Sequence, residues 1–425
     1  MSNLTASERV SRGLARRYAR EKRFRRFGLA SVAVGVLALS VLFVQIFGGG
    51  IKGFWQTAIQ LEVTFDADVL EIEDATSEDD LLFGNFEGMI RKALRERFPD
   101  VSGRSERRQL NRLVSIGGAF TLRDMLREDP NLLGQTRTLW FAADDDIDVY
   151  YKSLSGTPYT QRLAGDKQQQ WVQQLKDTGD LKLKFNTRLF TAADSSEPEM
   201  AGILGALMGS IYTLLVTFVL SFPIGVAAAV YLEEYAPHNG FTDFVEVNIS
   251  NLAAVPSIIF GLLGLAIFIN LFNMPRSVPL VGGLVLSLMT LPTIIISSRN
   301  AIKAVPPSIR EAALGIGASK MQMIWHHVLP LAMPGMLTGA ILGMAQALGE
   351  TAPLLMIGMV AFIADVPGGI TDSATVLPVQ IYLWADSPER AFVERTSAAI
   401  LVLLLFLICM NTLAVVLRRR LERRW

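Results

Sequence analysis

The stretch EAALGIGASKMQMIWHHVLP, residues 311–330, is amphipathic and lies between two long apolar segments. The chain has 425 residues and no net charge, and 51% of its residues are hydrophobic while 19% are charged. That mixture indicates membrane spans combined with a sizeable aqueous portion. A short amphipathic segment between two spans therefore needs a function of its own.

Proline and glycine divide this stretch into two predicted helices. Pro306 and Pro307 prevent the preceding helix from simply continuing. Ser308 and Glu311 have the S-x-x-E spacing of a capping box, which predicts a helix start. Gly317 is expected to end that helix in the left-handed conformation. A serine two residues later can then cap a second short helix, so the stretch is predicted to be a helical hairpin.

Both predicted helices carry an apolar stripe at helical spacing, formed by Ile309, Ala312, Ala313 and Ile316 in the first and by Met321, Ile324, Trp325 and Val328 in the second. Such a hairpin either rests on lipid headgroups or docks into a groove of a soluble partner. The small residues of the first helix and Gly317 favour close packing against a protein, because lipid binding prefers bulky anchors. The sequence therefore favours a docking element.

Six apolar segments are candidates to cross the bilayer, since about 20 residues at 1.5 Å each match a hydrocarbon core of about 30 Å. The first follows a basic region with nine Lys and Arg against two Glu, so a signal peptide is the alternative. Its apolar run is longer than is normal for a signal peptide, which favours a retained span. The predicted spans are residues 28–47, 201–231, 244–271, 279–297, 336–363 and 397–417.

The basic residues predict the orientation. Residues 16–26 and 418–424 are rich in arginine, so both termini are expected in the cytoplasm. The loop at 298–335 then lies inside, and the acidic loop at 364–396 lies outside. The acidic segment 233–244 disagrees because it would also lie inside, but acidic residues have little weight in this rule.

This orientation leaves residues 48–200 outside, enough for one small domain. Residues 60–72 and 181–190 have strand-like patterns, and residues 79–98 have helical spacing, which predicts an α+β domain. The three aspartates at 144–146 either bind a cation or, as is commoner, form a solvated turn. The single cysteine, Cys409, excludes an intrachain disulfide, and the chain has no Cys/His spacing typical of a metal site.

Glu350 is the only ionisable residue between positions 335 and 363. A carboxylate at the centre of a span costs about 2.5–3.5 kcal/mol on insertion scales, so it is expected to face the bundle interior or a water-filled path. Pro353 follows closely and predicts a local break in the helix. Either Glu350 joins two helices through a hydrogen bond, or it lines a permeation path.

The chain has no phosphate-cradling P-loop, no G-x-S-x-G and no H-E-x-x-H. We therefore expect no enzyme activity, and any ATP hydrolysis must belong to another subunit. No cofactor and no metal are expected on this chain.

The hairpin resembles the signature loop of ABC importer permeases, which reads EAA, three residues, Gly, nine residues, and an apolar-x-Leu-Pro ending. The residues that carry the resemblance are Ser308, Glu311, Ala312, Ala313, Gly317, Leu329 and Pro330. At the apolar position this chain has His327, which departs from the pattern. The resemblance covers roughly residues 200–420 and implies that the loop plugs into an ATPase subunit as a coupling helix.

Three further stretches, AVPSIIFGLLGL at 254–265, YLEEYAP at 231–237 and ALGETAPLL at 347–355, are similar to phosphate importer permeases of the PstA subgroup. Relatives often carry Arg one turn before Glu350, where this chain has Gln346. The implied translocation-path candidates are Gln346, Gly349, Glu350, Thr351 and Pro353.

The resemblance implies an all-α polytopic membrane protein with six transmembrane helices of the ABC importer permease type and an α+β extracytoplasmic domain inserted after the first span. The predicted regions are a basic cytoplasmic N-terminus at 1–27, a first span at 28–47, the domain at 48–200, a permease core at 201–417 with the coupling loop 298–335, and a basic cytoplasmic C-terminus at 418–425.

The implied setting is a bacterial inner membrane. The implied partners are a second permease (PstC-like), ATPase subunits that bind ATP and Mg (PstB-like), a periplasmic phosphate-binding protein (PstS-like), phosphate and the lipid bilayer, with no nucleic acid. Two alternatives remain open at this point. One is a permease for another oxyanion such as molybdate or sulfate, and the other is a membrane-anchored sensor with residues 48–200 as its ligand domain.

Overall fold

The computed structural model describes residues 6–72, 77–153 and 165–421, and these are mostly helical. Its three strands are β1 (Trp55–Thr64), β2 (Thr136–Ala142) and β3 (Leu181–Phe185). Its helices are α1 (Ala6–Gly53), α2 (Ala67–Leu70), α3 (Glu78–Phe83), α4 (Phe86–Arg97), α5 (Arg104–Asn111), α6 (Gly117–Glu128), α7 (Asp145–Ser153), α8 (Asp166–Thr178), α9 (Arg188–Thr191), α10 (Leu204–Val230), α11 (Gly240–Leu252), α12 (Ser257–Gly264), α13 (Pro279–Lys303), α14 (Pro307–Gly315), α15 (Lys320–Met323), α16 (Leu329–Gly349), α17 (Ala352–Met356), α18 (Leu377–Ala385) and α19 (Ala391–Leu421). A 3-10 turn covers Pro130–Leu132, and wide π-helical turns cover Tyr231–Tyr235, Leu265–Leu271 and Ile324–Val328.

Five long apolar helical segments in the described part of the chain are able to cross a membrane, and a bent pair of helices brings the number to six if it counts as one span. The straight segments are Arg17–Gly53, Leu204–Tyr235, Pro279–Lys303, Lys320–Gly349 and Ala391–Arg420.

The third predicted span, residues 244–271, is wrong as a straight helix. Gly240–Leu252 and Ser257–Leu271 meet at an angle of 100°. The break falls at Pro256, which also disfavours the helical conformation for Val255 before it. The chain therefore turns sharply within this apolar segment.

The fifth predicted span, residues 336–363, is also corrected. Its helix begins much earlier and ends at Gly349, after which the short α17 and a non-helical stretch follow. Glu350 therefore lies at the C-terminal end of the long helix, with extended backbone at φ −79° and ψ 125°, and not at the centre of a span. The predicted local break is confirmed, but it falls three residues before Pro353.

Helix α13 lies at the centre of the bundle, between α10 and α16. Small residues allow the close crossings. A Cβ placed on Gly283 would lie 2.5 Å from Val216 Cβ, and one on Gly225 would lie 2.7 Å from Ile294 Cγ2. Gly339 likewise leaves no room for a side chain against Ser297. Small residues at helix crossings are the usual means of packing helices in lipid.

The residues after α1 form a three-stranded antiparallel sheet in the order β2-β1-β3, with helices packed on one face around a core of its own. The predicted strand at 181–190 is shorter than expected, because β3 ends at Phe185 and α9 follows. The predicted helix at 79–98 is two helices, α3 and α4, since Asn85 caps α4 by accepting a hydrogen bond from the Gly88 N–H at 3.0 Å. Strand β2 is an element that the sequence analysis missed.

A buried ionic network joins this sheet-containing region to the last span. Lys152 Nζ lies 2.8 Å from the Asp148 carboxylate on α7 and 3.0 Å from that of Glu394 on α19. Asp148 also accepts a hydrogen bond from the backbone N–H of Thr57 on β1. Because Lys152 and Asp148 are almost fully buried, the loss of either partner would leave an uncompensated charge. The network therefore holds the region against α19.

Candidate coupling hairpin and translocation surface

The hairpin begins two positions earlier than the capping-box pattern predicts. Helix α14 has Pro306 at its N-cap and Pro307 at its first position, and no side chain caps it. Proline suits that first position because its missing N–H would have no partner there and its φ is already helical. Ser308 therefore lies within the first turn and Glu311 is exposed, so the predicted Ser308–Glu311 capping box is wrong.

The turn of the hairpin agrees with the sequence analysis. Gly317 has φ +91°, the left-handed conformation that glycine adopts without steric cost. The Ala318 N–H donates to the Ala313 carbonyl at 3.1 Å and closes the end of α14. Ser319 then caps α15 through a reciprocal pair of hydrogen bonds with Gln322. Both the left-handed glycine and the serine cap are confirmed.

The second helix is not short, which corrects the prediction of two short helices. Helix α15 continues through the π-helical turn Ile324–Val328 into α16, so that Lys320–Gly349 is one helical segment of 30 residues. Pro330 has no N–H to donate to the preceding turn, and the wider turn directly before it accommodates that loss. Leu329 and Pro330 are thus part of a membrane helix that extends directly from the hairpin.

The exposed face of the hairpin differs from the predicted stripes. Ala313, Met323, Ile324 and Val328 are buried against the ends of the spans, whereas Ala312 is exposed. Ile316 is the most exposed, at 82% of its surface. We call the exposed apolar set the hairpin apolar surface; it consists of Leu314, Ile316, Met321 and Trp325.

Arg310, which the sequence analysis did not select, fixes α14 to the bundle. Its guanidinium donates to the carboxylate of Glu234 at 2.9 and 3.0 Å, to the carbonyl of Val305 at 2.7 Å and to the carbonyl of Ile302 at 2.9 Å. The two carbonyls lie at the C-terminal end of α13, where a helix leaves its last carbonyls without partners. One side chain therefore ties the hairpin to α13 and to the segment after α10.

Glu233 explains the acidic segment that disagreed with the charge rule. Arg299 lies 3.2 Å from Glu233 and 2.5 Å from Glu246, and Lys303 lies 3.6 Å from Glu233. The acidic segment thus compensates the basic end of α13 within the chain. The sequence already indicated these ion pairs, because the two loops carry opposite charges and are predicted on the same side of the membrane.

The predicted translocation-path residues lie around the end of α16. Gln346 and Gly349 are exposed and Glu350 and Thr351 are half-buried, while Ala347 on the opposite face is buried. Gly349 has open space around it, because an added Cβ would meet nothing within 4 Å. Within the described residues, Glu350 has no cationic partner within 4.0 Å. Two of the four residues are thus exposed at the end of α16, and the other two follow them directly in the chain.

Pro353 belongs to a different environment. It is buried at the start of α17, and a Cβ on Gly261 of α12 would lie 2.6 Å from its Cα. The bent third span and the broken fifth span therefore pack directly against each other. This contact sets the position of the chain immediately after Glu350.

The three aspartates at 144–146 lie at the start of α7, with oxygen atoms within 4.8 Å of one another. The Asp146 N–H donates to the carboxylates of Asp145 at 2.8 Å and Asp144 at 3.3 Å. Burial and the neighbouring Asp145 carboxylate raise the pKa of Asp144 to about 8. The two carboxylates thus satisfy a backbone N–H in the first turn of α7, where an N–H has no partner within the helix.

Comparison with known proteins identifies two regions. Residues 221–425 match the family described as binding-protein-dependent transport system inner membrane component. Residues 11–157 match a domain of unknown function, DUF3333. The second match includes most of α1 and the part of the sheet-containing region that carries β1 and β2.

Several curated relatives align with the permease core. A phosphate transport system permease protein PstA from Haemophilus influenzae is 31% identical over 52% of this chain and 78% of its own length. PstA from Mycobacterium leprae is 33% identical over 52% of this chain and 72% of its own length. A probable ABC transporter permease protein, YqgI, from Bacillus subtilis is 34% identical over 40% of this chain and 58% of its own length.

Among solved structures, the inward-facing MetNI methionine ABC transporter aligns with 54% of this chain and 100% of its own chain, at 21% identity and a TM-score of 0.43. The family model covers the helical core that carries the hairpin and Glu350. The chain belongs to the family of binding-protein-dependent transport system inner membrane components and is an ABC permease of the PstA-like group.

Proposed function

We propose that the chain is a translocation subunit of an ATP-driven phosphate importer, with its hairpin coupled to a separate ATPase. The observation that carries the proposal is the hairpin itself. It presents four apolar side chains to solvent at the end of the membrane helix Lys320–Gly349, and it is fixed to the bundle by Arg310. Movement imposed on the hairpin would pass directly into that helix.

A soluble partner with a groove fits this surface better than lipid does. The hairpin apolar surface includes Ile316 and Trp325, and the exposed small residue Ala312 lies one helical turn before Ile316, so a close protein contact is possible. An exposed apolar helix face that is rimmed by polar residues is a common docking element. Because this chain has no P-loop, ATP and Mg would bind to the partner.

Phosphate is the proposed substrate because the PstA proteins among the relatives are named as phosphate permeases. Glu350 would face the anion path from this subunit. A carboxylate attracts a phosphate only through a protonated phosphate oxygen or a bridging cation, and the described residues supply no such cation. A second, PstC-like permease would therefore complete the path, and a PstS-like protein would deliver phosphate outside.

The proposed orientation puts both termini and the hairpin in the cytoplasm of a bacterial inner-membrane protein and residues 48–200 outside. The ion pairs between Glu233, Arg299 and Lys303 support one part of it, because they bring the acidic segment to the same end of the bundle as the hairpin. The basic residues at both termini support the same orientation.

The test is uptake of radiolabelled phosphate, driven by ATP, in vesicles that contain the reconstituted complex. The structure provides a matched pair of variants at the hairpin turn. Gly317→Leu should abolish uptake, because a leucine is strained at φ +91°. Gly317→Asn should retain most of it, because asparagine tolerates this conformation.

Three results would overturn the proposal. Equal uptake by both variants would separate the hairpin from transport. If the intact complex accumulates molybdate or sulfate but no phosphate, the substrate assignment is wrong. Binding of a ligand without any ATP-dependent uptake would favour the sensor alternative.

A further inference from the structure

A cluster of aromatic rings, three exposed and one half-buried, lies where the first span meets the sheet. Phe54, Trp55, Phe185 and Phe190 form it, and we call it the aromatic foot. Phe54 and Phe190 stack at 5.8 Å between ring centroids, Phe185 and Phe190 stack at 5.9 Å, and Trp55 meets Phe185 edge-on at 6.0 Å. Backbone pairing of Trp55 with Phe185 in the sheet fixes the arrangement.

The foot is an apolar surface that the described chain leaves uncovered. Phe185 is 52% exposed, and Trp55 and Phe190 are also exposed. Leu183 extends the surface along β3 on the same face. Large rings at the end of an otherwise well-packed sheet require an explanation, because the helices cover the rest of that face.

The position of the foot relative to α1 indicates what covers it. Helix α1 has no buried residue in its apolar window, while its last turns, at Gly50 and Gly53, pack against α19. Lipid therefore covers the sides of α1 that face away from α19. The foot follows the last residue of α1 without a linker, and Gly53 is six residues after Phe47, the last residue of the apolar run. Six helical residues rise about 9 Å. This distance puts the foot at the outer edge of the polar headgroup layer, since a bilayer adds roughly 5–8 Å on each side of its hydrocarbon core.

Chemistry and position agree at this depth. Trp side chains concentrate at the membrane–water interface, and Phe side chains serve as apolar anchors of segments that lie in that interface. Lys52 in the last turn of α1 adds a positive charge beside lipid phosphates.

We propose that the aromatic foot rests in the headgroup layer of the bilayer on the side of the sheet-containing region. The foot and the ionic network at Lys152 then hold that region at two independent places, one on lipid and one on α19. The proposal does not depend on the substrate or on which side of the membrane the region lies.

The single cysteine of the chain makes a direct test possible. Cys409→Ser gives a cysteine-free background. Thr187→Cys then places one fluorophore between Phe185 and Phe190 without removing a ring, because Thr187 is exposed. Thr64→Cys is the matched control, at the other end of β1, about 30 Å from Trp55 at 3.3 Å per residue. The full-length chain, with the subunits that co-purify with it, is reconstituted into liposomes.

The expected result is at least twofold quenching of the label at position 187 by lipids brominated near the headgroup. The same label should be quenched less by lipids brominated deep in the acyl chain. The label at position 64 should be quenched by neither lipid and fully by aqueous iodide. Replacing Trp55 and Phe185 by serine should raise iodide quenching at position 187 about twofold, because the foot no longer excludes water.

Two outcomes would overturn the proposal. Quenching of position 187 by iodide alone would show that water covers the foot. Quenching by neither reagent would show that another protein surface covers it. Phosphate uptake by the same variants is measured separately, so a failure of the substrate assignment would not be confused with either outcome.

Discussion

Replacing Arg310 should release the hairpin from the bundle without unfolding the protein. The side chain makes three charge-assisted contacts, to the Glu234 carboxylate and to the carbonyls of Ile302 and Val305. Each such hydrogen bond contributes about 1.5–3 kcal/mol. Arg310 is 21% exposed, and water can replace part of what is lost. We therefore expect Arg310→Met to weaken hairpin docking by about 2–4 kcal/mol.

Amide hydrogen exchange measures this docking directly, because local opening exposes the hairpin N–H groups. The reporters are the Ile316 N–H, bonded to Ala312 at 3.2 Å, and the Ala318 N–H, bonded to Ala313 at 3.1 Å. Since 1.4 kcal/mol corresponds to a tenfold change, exchange at both should accelerate roughly 30- to 700-fold.

The matched control is Lys303→Met, which removes a cation from the same region. Lys303 is 54% exposed and lies 3.6 Å from Glu233, so its loss should cost under about 1 kcal/mol and change exchange by less than about fivefold. Arg310→Lys should fall between the two, because lysine keeps the charge but lacks the planar fork. Equal exchange rates in Arg310→Met and Lys303→Met would refute the assignment of Arg310 as the anchor.

Three further changes test other parts of the structure. Glu350→Gln should reduce phosphate uptake at least tenfold while the yield of the complex stays unchanged; a lower yield would instead assign Glu350 a packing role. Lys152→Met should lower the free energy of unfolding of the purified chain by about 3–5 kcal/mol, because it removes the cation that lies between the Asp148 and Glu394 carboxylates. An unchanged free energy of unfolding would contradict the network. Asp144 has a folded-state pKa of about 8, above the usual 3.8, so it binds more protons when folded and its contribution to stability falls as the pH rises from about 4 to 8. Asp144→Asn should therefore flatten the decline in melting temperature between pH 5 and pH 9, and an unchanged slope would argue against the raised pKa.

The sequence by itself determined the class of the protein and the position of its hairpin. Apolar length located the first, second, fourth and sixth spans because a bilayer requires about 20 apolar residues, whatever their neighbours are. Gly317 and Ser319 were predictable because a left-handed turn and a helix cap depend on local chemistry alone. The family resemblance of the core, confirmed by the PstA relatives, also rests on local motifs.

Only the tertiary structure decided the bent third span, the end of α16 at Gly349 and the role of Arg310. An apolar run has the same composition whether it is straight or bent, so the packing of Gly261 against Pro353 could not be seen in it. In the sequence, Arg310 is one of several positive charges in a basic loop. Only the structure shows that it contacts Glu234, which is 76 residues away in sequence. Contacts between residues distant in sequence depend on the path of the chain through space, and local patterns do not encode that path.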